Sequence, residues 1–483
     1  MMNKSFEYLP KDKRKKILLV TDDIRVHSGV ATVGKEIVIH TAHRYNWVQI
    51  AGSIKHPEEG KVLDISVDVS KFAGIDDASC MLYPVNGYGD SNLFRQVVAR
   101  EKPDAILLIT DPRYFHHIFK MEREIRKKIP ITYLNIWDDL PAPLYNKPFY
   151  QSCDLLMGIS KQTVFINKTV LGDDIEDRIC NYVPHGLNSD IYRPILELDK
   201  SYPKFLDFKK KVQGSDDIDF TLFFNSRNIR RKQIPDSMLA FRGLLDSLPL
   251  EKAKKCRMIL HTEPSSDHGT DLVKVTELLF DEKYKECIIF STAKLPPEEL
   301  NYLYNIADAQ ILLTSNEGWG LTLTEAILTG TPIIANVTGG MQDQMRFVDG
   351  KGEWFTPNSD VPSNHRGTYK EHGEWAFPVY PTSRSMQGSP PTPYIYDDRC
   401  AWEDATERLI ELYNMDPKER QRRGYEGRKW AISDEAGFTH KHQASRFMDS
   451  IEGLFSTWKP RTKHTIVNTN EYKGKFLNHK LIY

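Results

Sequence analysis

Short runs of consecutive apolar residues, each ending in a polar or glycine-bearing loop and followed by a stretch of helical spacing, most limit how this chain can fold. KILLVTDD (16–23), DAILLITD (104–111), ITYLNIWDD (131–139), DLLMGIS (154–160) and ICNYVPHG (179–186) form one such series. Runs that are apolar throughout belong to strands covered on both faces, and intervening helices make those strands parallel. A proline-bearing connection, YRPILELDKSYPKF (192–205), breaks the series. DFTLFFNS (219–226), RMILHTE (257–263), CIIFST (287–292), DAQILLTS (308–315) and TPIIANV (331–337) then begin a second one. The pattern predicts an α/β chain with two doubly wound Rossmann-like domains, residues 15–195 and 196–440, facing across a cleft. Ligands of open α/β sheets bind in such clefts, at the C-terminal strand ends. Residues 351–398, rich in Gly, Pro, His and aromatics, read as an irregular insertion in the second domain. Residues 441–483 read as a last amphipathic helix, QASRFMDSIEGLF (443–455), and a basic tail expected to return to the first domain.

Composition narrows the classes. Lys and Arg number 65 against 66 Asp and Glu, which argues against a generally basic nucleic-acid binder. The 6 cysteines show no metal-ligand spacing and suit a reduced, cytoplasmic setting. The start, MMNKSFEYLPKDKRKK, lacks the apolar centre of a signal peptide. No apolar run approaches the roughly 18 residues of a membrane span.

Three stretches carry chemistry. NEGWGLTLTEAILTGTP (316–332) is a strand-to-helix loop, with a helix over 321–329 stopped by Gly330 and Pro332. Free N–H groups around Gly320, Leu321 and Thr322 make the helix start an anion site. Glu325, one turn in, can accept hydrogen bonds from paired hydroxyls such as those of a ribose, and Glu317 can reach the ligand's other end. FFNSRNIRRKQIPDSMLAF (223–241) places Arg227, Arg230, Arg231 and Lys232 at the end of the second domain's first strand, where cations suit a diphosphate. HSGVATVGKEI (27–37) is a small-residue loop opening a helix, though it does not spell GxGxxG. Taken alone, an acidic first turn is favoured by the helix dipole and a charge run is usually a solvated turn. Asp217 and Asp219 spell D-x-D, but at the start of a strand, away from the predicted cleft.

In this order and with these neighbours, the stretches resemble retaining glycosyltransferases of the GT-B fold, of glycosyltransferase family 4 (glycosyl transferases group 1). The E-x7-E pair Glu317/Glu325 is the strongest match, with SRNIRRK, HSGVATVGKEI and VPHGLNSDIYRP (183–194) in support. The resemblance implies a nucleoside-diphosphate sugar as donor substrate, with no separate cofactor, and fixed cations beside a helix start are expected to need no metal. It implies that Glu325 holds the ribose and Glu317 the transferred sugar. It assigns Arg227 and Lys232 to the diphosphate, with Gly29, Gly320, Leu321 and Thr322 contributing backbone N–H groups. Enzymes of this kind often carry a histidine after the middle strand of the first domain. Here NIWDDLPAP offers Trp137, Asp138 and Asp139 instead, of which Asp138 is the expected counterpart, while His116 and His117 read as structural or surface residues. The expected acceptor is a carbohydrate or small hydroxylated molecule. Two alternatives stay open: a DNA-modifying glycosyltransferase acting on hydroxylated bases, and a non-catalytic nucleotide-sugar-binding protein.

Overall fold

The computed structural model describes residues 6–461 apart from 177 and 362. The first sheet holds β1 (Lys15–Asp22), β2 (Tyr45–Ser53), β3 (Leu63–Asp64), β4 (Cys80–Asn86), β5 (Ala105–Ile109), β6 (Ile131–Asn135), β7 (Leu155–Gly158) and β8 (Ile179–Tyr182). Their order is β3-β4-β2-β1-β5-β6-β7-β8, and only the short β3 runs antiparallel to its neighbour. The second sheet holds β9 (Phe220–Asn225), β10 (Cys256–His261), β11 (Ile288–Phe290), β12 (Ala309–Leu312), β13 (Ile333–Asn336) and β14 (Ala376–Val379), in the order β11-β10-β9-β12-β13-β14 and all parallel.

The consecutive apolar runs have the expected cause. In β1, Ile17 and Leu19 pack into one hydrophobic cluster while Leu18 and Val20 pack into another on the opposite face. β5 divides in the same way, Leu107 and Ile109 from Ile106 and Leu108. Both faces are therefore covered, as the two-residue side-chain period requires. β2 and β4 were not anticipated. YNWVQIAGS hides its strand behind polar residues, yet Gln49 is buried because its amide donates to the Asp22 carbonyl at 2.7 Å and its Oε1 accepts from the Ile24 N–H at 3.4 Å.

Residues 351–398 are not irregular throughout. β14 extends the second sheet at its edge, where Pro378 costs no ladder hydrogen bond that an interior strand would need. An antiparallel hairpin follows, β15 (Ser383–Ser389) and β16 (Thr392–Arg399). The last helix, His440–Thr457, packs back on the first sheet. There Glu452 accepts from Arg44 at 3.0 Å and Tyr45 at 2.9 Å, and Phe447 sits against Tyr45 and Trp47. The rest of the basic tail, from residue 462 on, lies outside the described residues. No helix among the described residues is long and apolar enough to cross a membrane.

Candidate active site

Glycines set how closely the two sheets' C-terminal edges meet. Gly29 opens the helix after β1, whose start is capped by Ser28 Oγ accepting from the Ala31 N–H at 3.0 Å. A Cβ on Gly29 would stand 3.9 Å from Leu321 Cδ1, so the two helix starts face each other across the cleft. Gly318 is tighter, since a Cβ there would come within 2.8 Å of the Ile136 carbonyl oxygen in the loop after β6. Gly320 has φ +85°, and no side chain caps the helix Leu321–Thr329 that follows it. The Leu323 N–H donates to the Gly320 carbonyl at 2.9 Å, and the N–H groups of Leu321 and Thr322 are left without a capping side chain at the cleft, where the positive end of the helix favours an anion. Gly339, at φ +53°, supports the loop from behind, because a Cβ there would fall 1.9 Å from the Glu317 carbonyl oxygen. Gly339→Ala is expected to destabilise the chain by at least about 1–3 kcal/mol of backbone strain. A thermal melt at or above the wild-type Tm would contradict this close packing.

Glu317 sits at the centre. Its Oε2 takes a direct hydrogen bond from Lys232 Nζ and meets Arg231 Nη1 at 3.1 Å. Arg231 also donates to the Asn316 carbonyl at 2.6 Å. Burial alone would push the Glu317 carboxyl up, but Lys232 and Arg231 override it and hold the carboxyl at about 2. Glu317 is therefore an anion across the physiological range, able to accept from sugar hydroxyls. Lys232 is buried in a short helical turn, Arg230–Lys232, at the C-terminal end of β9. Arg227 lies exposed outside this cluster. Arg231, which the sequence reading grouped with the cations without a role, is the guanidinium placed on Glu317.

Glu325 lies in the helix beyond. Its Oε2 accepts from the Tyr304 hydroxyl and, at 3.4 Å, from Asn225 Nδ2 at the end of β9. Burial raises this carboxyl to about 7 despite the tyrosine hydrogen bonds. Neither Tyr304 nor Asn225 shows in the sequence as a site residue. Only the position of Asn225 at a strand's C-terminal end could have flagged it.

On the opposite wall, Asp138 follows β6, half-buried, with its carboxyl raised first by burial and then by Glu317, against the pull of Arg231. Gln162 Nε2 holds the Asp138 carbonyl at 2.9 Å, and Trp137 Nε1 the Asp139 carbonyl at 2.9 Å, which fixes the loop. His185 stands buried with its ring edge-on to Trp319, and burial pushes it down to about 3, so it is a neutral wall. His116 is exposed against the edge of Phe149, and His117 is half-buried. Asp217 and Asp219 are exposed at the N-terminal start of β9, the end of the strand away from the cleft, and Asp217 pairs with Lys255 at 2.8 Å.

The domains are latched beside this site. The Lys161 N–H donates to Asp343 Oδ2 at 2.8 Å, and the Tyr182 hydroxyl to the same oxygen at 3.1 Å. Lys161 Nζ donates to the Phe355 carbonyl at 2.9 Å and lies 3.5 Å from the Trp354 ring centroid.

Residues 207–363 match the family described as Glycosyl transferases group 1. A D-inositol 3-phosphate glycosyltransferase of Corynebacterium urealyticum is 30% identical over 164 residues, which is 33% of this chain and 35% of that protein. One of Corynebacterium jeikeium is 28% identical over 112 residues, 23% of this chain and 26% of that protein. The chain thus spans about a third or less of the curated relatives it matches. Solved structures align over nearly all of it. Sucrose-phosphate synthase from Thermosynechococcus elongatus gives a TM-score of 0.62 at 14% identity, covering 92% of this chain and 100% of that one. Anabaena HepE, solved in complex with UDP and glucose, gives 0.61 at 13% identity, covering 91% and 100%. These likenesses establish the fold as the two-domain GT-B arrangement.

Proposed function

We infer that this chain, a GT-B protein whose second domain carries a glycosyl transferases group 1 segment, moves a sugar from a nucleoside-diphosphate sugar to an acceptor hydroxyl. The observation that carries the reading is the placement of Lys232 and Arg231 on Glu317, beside the uncapped start of Leu321–Thr329. Fixed cations and a helix start are donors for a departing diphosphate, and a buried carboxylate is an acceptor for sugar hydroxyls. Such groups act most strongly where charge develops, on the leaving phosphate oxygen. The anomeric carbon–oxygen bond to the diphosphate breaks while the acceptor oxygen bonds to the same face. The acceptor's proton passes to the departing phosphate oxygen, so retention needs no separate base. In this reading Glu325 holds the ribose, Glu317 the transferred sugar, and Lys232, Arg231 and Arg227 the diphosphate. Asp138 faces the reacting carbon from the first domain.

In this reading the cations and the helix start balance the departing diphosphate without a divalent ion, so turnover should fall less than about twofold in excess EDTA. The assay is release of nucleoside diphosphate from a panel of nucleotide sugars, with and without small hydroxylated acceptors. Complete loss on chelation, restored by Mg²⁺ or Mn²⁺, would overturn the metal-free reading. Binding of every nucleotide sugar without release would favour a non-catalytic protein. Transfer to hydroxymethylated DNA alone would favour the DNA-modifying alternative.

A further inference from the structure

The hairpin β15–β16 bridges the cleft and binds both of its walls. On the first domain, the Tyr396 N–H donates to the Leu140 carbonyl at 2.7 Å and the Tyr145 hydroxyl to the Tyr394 carbonyl at 3.2 Å. Arg113 reaches the Pro391 carbonyl at 2.7 Å and also Thr392 Oγ1. On the second domain, the Asp398 N–H donates to the Ser315 carbonyl at 3.0 Å, and Asn336 Nδ2 to the Asp398 carbonyl at 2.9 Å. Strand alternation then turns Ile395 and Asp397 to one face, where both line a cavity of about 340 Å³ under the hairpin. Tyr133, Trp137, Asp138 and Asp139 form its first-domain side, and Arg231 and Asn316 join it to the Glu317 cluster.

The polar inventory of this cavity is one-sided. Both of its guanidiniums are engaged, Arg113 by Asp111 and the hairpin, and Arg231 by Glu317 and the Asn316 carbonyl. Asp397 already accepts from Asn316 Nδ2 at 3.1 Å. Asp139 is only 4% exposed, yet among the described residues no donor meets its carboxylate oxygens. Its oxygens are not sealed off in the protein interior, so they open onto the cavity, where a bound donor group can meet them. Burial, with Asp138 and Asp397 alongside, pushes the Asp139 carboxyl well above the usual range, and among the described lining residues a phosphate would meet no unpaired cation.

We propose that the hairpin-roofed cavity is the acceptor pocket, and that it selects an acceptor rich in hydrogen-bond donors and free of phosphate, with Asp139 and Asp397 reading its hydroxyl or ammonium groups. Apolar walls from Trp137, Tyr133, Pro112 and Ile395 suit the faces of a sugar or cyclitol ring. The curated relatives above are named for a phosphorylated inositol, so this pocket sets the chain apart from them in acceptor charge. The inference rests on the glycosyl-transfer reading.

The test pairs each neutral or amino-substituted monosaccharide or cyclitol with its monophosphate ester, using a nucleotide sugar that the wild-type chain turns over. The expected kcat/KM favours the phosphate-free member by at least tenfold. Asp139→Asn and Asp397→Asn should each raise the KM for that acceptor more than fivefold and narrow the discrimination against its phosphate ester, with a smaller change in the KM for the donor. Two variants on different domains guard against one that misfolds, and the wild-type comparison stands without either. Equal or preferred use of phosphorylated acceptors, or discrimination untouched in both folded variants, would overturn the proposal. Failure of every nucleotide sugar to turn over would instead strike the glycosyl-transfer reading itself.

Discussion

Lys232→Ala is expected to lower kcat/KM for the sugar donor by roughly 100-fold or more. Two effects combine. The substitution removes a charge-assisted contact to the leaving diphosphate, worth about 1.5–3 kcal/mol, or about 10- to 100-fold. It also strips Glu317 of its closer cation, when both side chains are largely buried, at 10% and 14% exposure. Breaking a buried ion pair from one side costs about 3–5 kcal/mol, so the melting temperature should fall with the activity. Arg227→Ala removes only an exposed guanidinium and should cost about tenfold in kcat/KM with an unchanged melt. Steady-state kinetics with thermal melts of both variants decide. Near-normal turnover in Lys232→Ala would remove the phosphate clamp from the mechanism.

The two glutamates should separate in binding. Glu325→Gln is expected to weaken a bare nucleoside diphosphate about tenfold, because the ribose loses a charged acceptor. Since its carboxyl is poised at about 7, the gap between wild type and Glu325→Gln should widen as pH rises from 6 to 8, as the wild-type group ionises. Titration of the diphosphate itself is common to both proteins and cancels. Glu317→Gln should behave oppositely. In the free protein Glu317 occupies the cations that the diphosphate needs. Freeing them should leave bare nucleoside diphosphate binding unchanged or tighter, while turnover of the intact donor falls by at least about 100-fold. Calorimetry with both ligands is the measurement. If Glu317→Gln weakens the bare diphosphate as much as Glu325→Gln does, the assignment of sugar and ribose ends is wrong.

Much of the architecture was legible because it rests on local pattern. Unbroken apolar runs such as Ile17–Val20 and Ala105–Ile109 can be buried only with both faces covered, which announces parallel strands under helices. The helix Leu321–Thr329 was readable to the residue, since Gly320 and Gly330 supply the positive φ values at its two ends. The Glu317 loop, the Arg/Lys run and the Gly29 loop each sit at a strand's C-terminal end, and chain order alone puts those ends on one edge of a sheet. What depends on partners distant in the chain was not legible. β2 was hidden because its buried Gln49 is satisfied by backbone groups 25 and 27 positions away in the chain. β14 was hidden by Pro378, acceptable only because that strand lies at an edge. The hairpin β15–β16 read as irregular because it packs on two domains at once and has no single apolar face, with all of Ser383–Ser389 exposed. Which cation meets Glu317 depends on the turn of one short helix, Arg230–Lys232, and so Arg231 rather than Arg227 stands there. Residue type and spacing determined the two sheets and the kind of groups at their edges. Pairings between side chains some 85 positions apart arose only when the second domain folded, and the pocket under the hairpin only when the two domains met.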